Sequence, residues 1–286
     1  MSESQNKSLK DSAPTGSMKN KGKNTLTEKE PVSAKRIVYL LLPLLSIALI
    51  VLGWIYLSGR RPDMLPAPVD CWHRMIKLFT NPVNNQNLFG HIWSSLKRVL
   101  TALVIAWVLG IAFGVLIGWN QRAKALFGSI FELIRPIPPI AWIPLISMWF
   151  GLGEFSKVLI VFIGTFTPVV INTCVGISMV EQQYLYVGQI FRANQRQALF
   201  DIAIPSALPA IFAGIRSSTS AGWMVVLAAE MLGAKTGLGL LITRGMESDD
   251  TALIMVSIVT IGIIGALLAA VTSYIERRAC PWRTDQ

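Results

Sequence analysis

The feature that most constrains this chain is a series of long apolar stretches almost free of charge. Residues 37–59, 99–121, 158–180 and 251–275 each hold enough continuous apolar sequence for a helix to cross the hydrocarbon core of a membrane. Two further stretches complete the set. Residues 136–153 are shorter but extend back through Phe131, and 217–229 reach across if the helix begins near Pro209. In lipid, only helices and closed barrels satisfy their own backbone, and runs this long are not barrel strands. The expectation is therefore an all-α integral membrane protein with six transmembrane helices.

Composition agrees. Of 286 residues, 52% are hydrophobic and 15% charged, against about a quarter charged in a soluble domain. The net charge of +10 could suggest nucleic acid, but no aromatic-and-basic surface segment supports it, so no nucleic-acid partner is expected. Basic residues instead report orientation. With the N-terminus inside, the inner segments hold fifteen Lys and Arg: eight before residue 37, then Arg122, Lys124, Arg192, Arg196, Arg277, Arg278 and Arg283. The outer segments hold nine: Arg60, Arg61, Arg74, Lys77, Lys97, Arg98, Lys157, Lys235 and Arg244. The bias places both termini in the cytoplasm.

Residues 1–36 are polar, lack apolar periodicity and read as a disordered cytoplasmic tail. Residues 37–280 form the membrane domain, and 281–286 a short cytoplasmic tail. No small-residue cleavage site follows the first apolar run, which is read as an anchor rather than a signal peptide. Cys71 falls on the outer side, Cys174 within a span and Cys280 on the cytoplasmic side, so neither a disulfide nor a metal site is expected among them. His73 and His91 lie in the first outer loop without a carboxylate or cysteine at ligand spacing, and both read as surface residues. With no nucleophile–base–acid trio, no catalysis is expected.

Several residues within the spans invite a role. Gly110, Gly114 and Gly118 share one helix face and allow a second backbone to approach, within one subunit or at a dimer seam. Pro136, Pro138, Pro139 and Pro144 bend or break the third span. Such backbone is tolerated where it lines a cavity or is buried, and the alternative is a simple kink at the interface. Glu132 and Arg135 stand three apart and can pair on one helix face. Ser217, Ser218, Thr219 and Ser220 either hold helices together or wet a path. Glu230, close to a span end, must be paired or face water.

Residues 180–216 make an unusually long connection on the inner side. They read as two short helices broken before Pro205. Leu199, Phe200, Ile202 and Ile204 give an apolar side, and Arg192, Arg196 and Gln197 a polar one, which suits a docking element for a cytoplasmic partner. A membrane-surface helix is the competing reading.

This segment resembles the cytoplasmic loop of permease subunits of type I ATP-binding-cassette importers, whose pattern is E-A-A, three residues, G, nine residues, I-x-L-P. Ile202-Ala203-Ile204-Pro205 matches its end. The E-A-A positions then fall on Tyr186-Val187-Gly188 and the glycine on Arg192, so the first half departs from the pattern. Four further segments resemble the family: LPAP at 65–68, SLKRVL at 95–100, RPIPPIAWIPLISMWFGLGEFSK at 135–157 and AAEMLGAKTGLGLLI at 228–242. The last two are closest to the branch importing taurine, alkanesulfonates and nitrate, and RRACPW at 277–282 looks most like taurine permeases.

The resemblance implies the six-helix permease fold with a cytoplasmic coupling helix, in a bacterial inner membrane. It implies a second copy of the permease, two cytoplasmic ATPase subunits carrying ATP and Mg, an external substrate-binding protein and surrounding lipid. This chain has no phosphate-binding G-x-x-x-x-G-K-[ST] loop of its own. The coupling loop, 181–205, would engage the ATPase through Tyr186, Val187, Gly188, Arg192, Ala193, Arg196, Ile202 and Pro205. A translocation path would run beside Pro138, Pro139, Trp142, Thr165, Thr167, Ser218 and Glu230. The solute would be taurine or another sulfonate, with nitrate or another small anion next. A secondary transporter acting alone is the rival from another class, but the spans hold few ionisable groups and no visible repeat.

Overall fold

The computed structural model describes residues 34–61 and 64–281. Residues 1–33 and 282–286 carry most of the two expected tails, which lie outside the described residues. The chain divides into two compact units, Met1–Val51 and Leu52–Gln286, with helix α1 (Ala34–Arg60) beginning in the first and ending in the second.

Within the second unit the helices follow in chain order: α2 Pro68–Thr80, α3 Leu88–Trp119, α4 Gln121–Ile134, α5 Pro139–Phe150, α6 Glu154–Ser178, α7 Gln182–Ile190, α8 Gln195–Met231, α9 Leu238–Glu247 and α10 Thr251–Ala279. Four of them, α3, α6, α8 and α10, are long and apolar enough to cross a membrane. Counted as one element, α4 and α5 make a fifth apolar stretch of spanning length, bent by 85° where they meet. The first expected span corresponds to α1, whose Leu45–Arg60 part is apolar but shorter than a full crossing.

Helix starts follow from local chemistry. The Asn87 side chain accepts from Gly90 N–H at 2.9 Å, Asn120 from Arg122 N–H at 2.9 Å, and Asp250 from Leu253 N–H at 2.9 Å. At the start of α8 the capping is reciprocal: Asn194 Oδ1 accepts from Gln197 N–H, and Gln197 Oε1 from Asn194 N–H, both at 2.9 Å.

Helix α6 packs along both α3 and α8. The α3 glycines explain the first contact. A Cβ on Gly110 would lie 2.9 Å from Val169 Cγ1, on Gly114 2.7 Å from Thr173 Cβ, and on Gly118 2.9 Å from Cys174 O. The repeat is thus used for packing within one subunit. Gly222 does the same for α8, where an added Cβ would meet Thr165 Cγ2 at 2.6 Å. The core fills from these helices and from α9 and α10 with Val99, Leu103, Ile160, Val161, Val226, Leu241 and Leu253. Ile258, Ile263, Leu267 and Val271 of α10 remain exposed, as a face toward lipid would be.

Two sequence expectations change here. The chain does not break before Pro205: α8 runs through it, and the break lies at residues 191–194. A π-helical turn, Ala198–Ala203, precedes the proline, and its wider ladder accommodates a residue with no N–H to donate. His91, expected at the surface, is fully buried in the first turn of α3. Its Nε2 lies 3.1 Å from Val83 O, and its Nδ1 accepts from Gly237 N–H at 3.1 Å. Both partners are backbone groups from loops, which side-chain spacing cannot reveal. His73 is exposed.

Candidate functional site

Three places bear on function: the turn after α7, the break between α4 and α5, and a buried polar cluster at the Leu88 end of α3.

Helix α7 ends in a Schellman turn. Arg192 takes the left-handed conformation at φ 58°, its N–H donates to Gln189 O at 2.9 Å, and Ala193 N–H donates to Gly188 O at 2.9 Å. Arg192 occupies the position where the importer pattern has glycine, and the turn forms despite the side chain. Gly188 is buried because Ile202 Cδ1 would lie 2.6 Å from any Cβ there, so a small residue lets α7 sit on the π turn of α8. Outward, α7 presents Tyr184, Tyr186 and Val187, with Ile190 78% and Phe191 81% exposed. Arg196 and Pro205 are also exposed, while Ala193 and Ile202 are half-buried.

The proline cluster produces the expected break. Residues 135–138 join α4 to α5, Pro138 is exposed, and α5 opens with a 3-10 turn at Pro139–Trp142. Beside the break lies a cavity of about 290 Å³, lined by Arg135, Pro139, Trp142, Thr167, Ala221 and Met224, among others. A second, of about 260 Å³, lies on the other side of Arg135 and is lined by Lys124, Glu132, Cys174 and Ser178. The Glu132–Arg135 pair allowed by spacing does not form among the described residues. The other expected path residues are placed differently. Thr165 is buried and donates to Val161 O at 2.9 Å, and Ser218 is buried and accepts from Trp107 Nε1 at 3.0 Å. Those hydroxyls serve helix packing.

Glu230 belongs to the third place. It is 1% exposed, and its Oε1 accepts from Arg98 Nη1 at 2.6 Å. Its Oε2 accepts from Ser95 Oγ at 2.8 Å and from Gly239 N–H at 3.0 Å. Arg98 also grips Glu154 with two bonds, Nε to Oε2 at 2.6 Å and Nη2 to Oε1 at 2.7 Å. Its remaining donors reach Thr236 O at 2.7 Å and Thr236 Oγ1 at 2.9 Å. Lys157 donates to Leu152 O at 2.8 Å and stands 3.8 Å from Glu154. The two buried cations and the two carboxylates balance, with Glu154 the exposed member, which permits this much charge in the packed cluster.

The sequence profile of the family described as binding-protein-dependent transport system inner membrane component matches residues 107–281. The chain belongs to this family. Its relatives include a putative ABC transporter permease of Methanocaldococcus jannaschii, 34% identical over 243 residues, covering 85% of this chain and 90% of that protein. The taurine transport system permease of Escherichia coli is 33% identical over 226 residues, 78% of this chain and 82% of that protein. A nitrate import permease of Synechocystis is 32% identical over 259 residues, 89% and 94% of the two chains. The protein is thus a multi-pass permease subunit of the type I ATP-binding-cassette importer class.

In this permease, three of the segments that carried the resemblance meet in this cluster. SLKRVL supplies Ser95 and Arg98, the 135–157 segment supplies Glu154 and Lys157, and AAEMLGAKTGLGLLI supplies Glu230 and Gly239. Sequence reading singled out Glu230 but not its partner. The signal was Arg98 immediately before the second apolar run, since buried charges come in pairs.

Proposed function

We propose that this permease forms the membrane path of an ATP-driven importer for a small oxyanion-bearing solute, taurine or another sulfonate before nitrate. Two copies would enclose the path, two ATPases binding ATP and Mg would drive it, and an external binding protein would deliver the solute. Both termini and residues 181–205 would then face the cytoplasm. Nucleotide-driven closure of the ATPases would shift the permease pair between inward-open and outward-open states. The path would pass the broken span at Pro138, Pro139, Trp142 and Thr167, with Thr165, Ser218 and Glu230 holding its walls from behind.

The observation that carries this reading is α7, a short capped helix whose Tyr186, Val187, Ile190 and Phe191 all point outward at the position of the family's docking loop. An apolar face of this kind fits a groove on a partner. The taurine and nitrate relatives support the solute class.

The test is purification of the tagged permease from native membranes in mild detergent, with identification of what accompanies it. Recovery of an ATPase, lost in Ile190→Asp/Phe191→Asp while the permease stays monodisperse, supports the reading. A folded permease that never brings an ATPase overturns it.

A further inference from the structure

Arg135 is a cation at the break of a membrane span with no ionic or hydrogen-bonded side-chain partner among the described residues. Two other arginines of the helix bundle are matched, Arg98 by Glu154 and Glu230 and Arg216 by Glu276 at 2.8 Å, whereas Arg135 and the nearby Glu132 have no ion pair among the described residues. Arg135 is exposed at the break, and an unpaired guanidinium beside an apolar cavity is a ready counter-charge for an anion that enters it. Arg135 is also the one charged side chain among the described residues lining the 290 Å³ cavity, and Glu132 lines only the other one. Trp142, in the same cavity wall, has a buried indole N–H with no acceptor. The cavity adjoins the N-terminus of α5, whose backbone dipole also favours negative charge. The rest of its wall is apolar, with Ile137, Ile163, Met224 and Val225.

We propose that Arg135 is the oxyanion-holding residue of a solute subsite in this cavity, and that the subsite takes an oxyanion carried on a short apolar chain, such as an alkanesulfonate. The guanidinium fork matches sulfonate oxygens, as it does carboxylate or phosphate. The apolar wall, with the Trp142 ring in it, covers the carbon chain. An inorganic oxyanion gains the charge interaction but nothing from that wall. This rests on the importer reading for its meaning in transport, but its chemistry is testable on the permease alone.

The test places a cysteine at Thr167 in a permease whose Cys71, Cys174 and Cys280 are alanine. The probes are two methanethiosulfonate reagents of similar size, the sulfonatoethyl anion and the trimethylammonioethyl cation. With Arg135 present, Thr167→Cys reacts faster with the anion. The anion-to-cation rate ratio falls about tenfold in Arg135→Gln, is kept in Arg135→Lys, and shrinks in high salt. Ethanesulfonate slows the anionic reagent more than nitrate does at equal concentration. An unchanged ratio in Arg135→Gln, or a salt-independent ratio should that variant not fold, overturns the subsite. So does a Thr167→Cys that reacts with neither reagent. Protection by nitrate equal to that by ethanesulfonate overturns the alkyl preference. Because none of these rates requires an ATPase or a binding protein, failure to import would count against the importer reading alone.

Discussion

Arg98 Nη1 and Glu230 Oε1 meet at 2.6 Å across 132 residues of sequence, and both side chains are almost fully buried. The contact ties α3 to α8 at the end where Glu154 and Thr236 also converge. Removing one partner strands the other charge in a dry site. Arg98→Ala is expected to cost about 3–5 kcal/mol, read as a drop in the unfolding midpoint of the purified permease. Glu230→Gln costs less, because the amide still offers an oxygen to Ser95 and Gly239. The apolar double variant Arg98→Met/Glu230→Leu recovers part of the loss, and equal loss in all three would contradict an ion-pair role.

The turn at Arg192 leads to a prediction of opposite sign. A side chain held at φ 58° costs about 1 kcal/mol that glycine would not pay. Arg192→Gly should therefore slow hydrogen exchange of the Ala193 amide, which bonds Gly188 O. Arg192→Val should speed it, since a branched side chain fits the left-handed region worse.

The α3–α6 seam discriminates between glycines. Gly114→Val drives a side chain into Thr173 and Val170 O and should destabilise by about 1–3 kcal/mol. Gly262 of α10 has nothing within 4 Å of its added Cβ, so Gly262→Val should leave the midpoint nearly unchanged. Comparable effects at the two sites would argue against the seam.

Cys71, on α2 and outside the spans, is 7% exposed, and burial first and Asp70 second push its thiol above the usual range. A raised pKa leaves less thiolate at neutral pH, and the thiolate is the nucleophile. Maleimide labelling of Cys71 in the folded permease is expected to be slow at pH 7 and to accelerate as pH rises. Rapid labelling at pH 7 would show that α2 leaves its seat.

How far the sequence carried these conclusions varies by element. Continuous apolar runs made α3, α6 and α10 legible because lipid imposes one requirement on every residue of a span. The prolines at 136, 138, 139 and 144 made the break at α5 legible for the same reason, since a missing donor has no substitute in lipid. Pro205 misled because a π turn supplies the slack that an α-helical ladder lacks. His91 misled because its partners are the backbone of Val83 and Gly237. The Arg98 cluster was visible only as separate fragments, since Glu154, Glu230 and Arg98 are brought together by the packing of three helices.

The uninterrupted course of α8 has a mechanical meaning. From Gln195 to Met231 it is one rod of about 55 Å. Near one end it carries the π turn against which Gly188 of α7 rests, along its middle Ala221 and Met224 of the cavity wall, and near the other end Glu230. Its π turn and its prolines at 205 and 209 lie toward the α7 end, and beyond them the helix runs unbroken past the cavity wall to Glu230. Under the importer reading, a push on the α7 end would reach the cavity along this one helix, with the Arg98 clamp holding its far end.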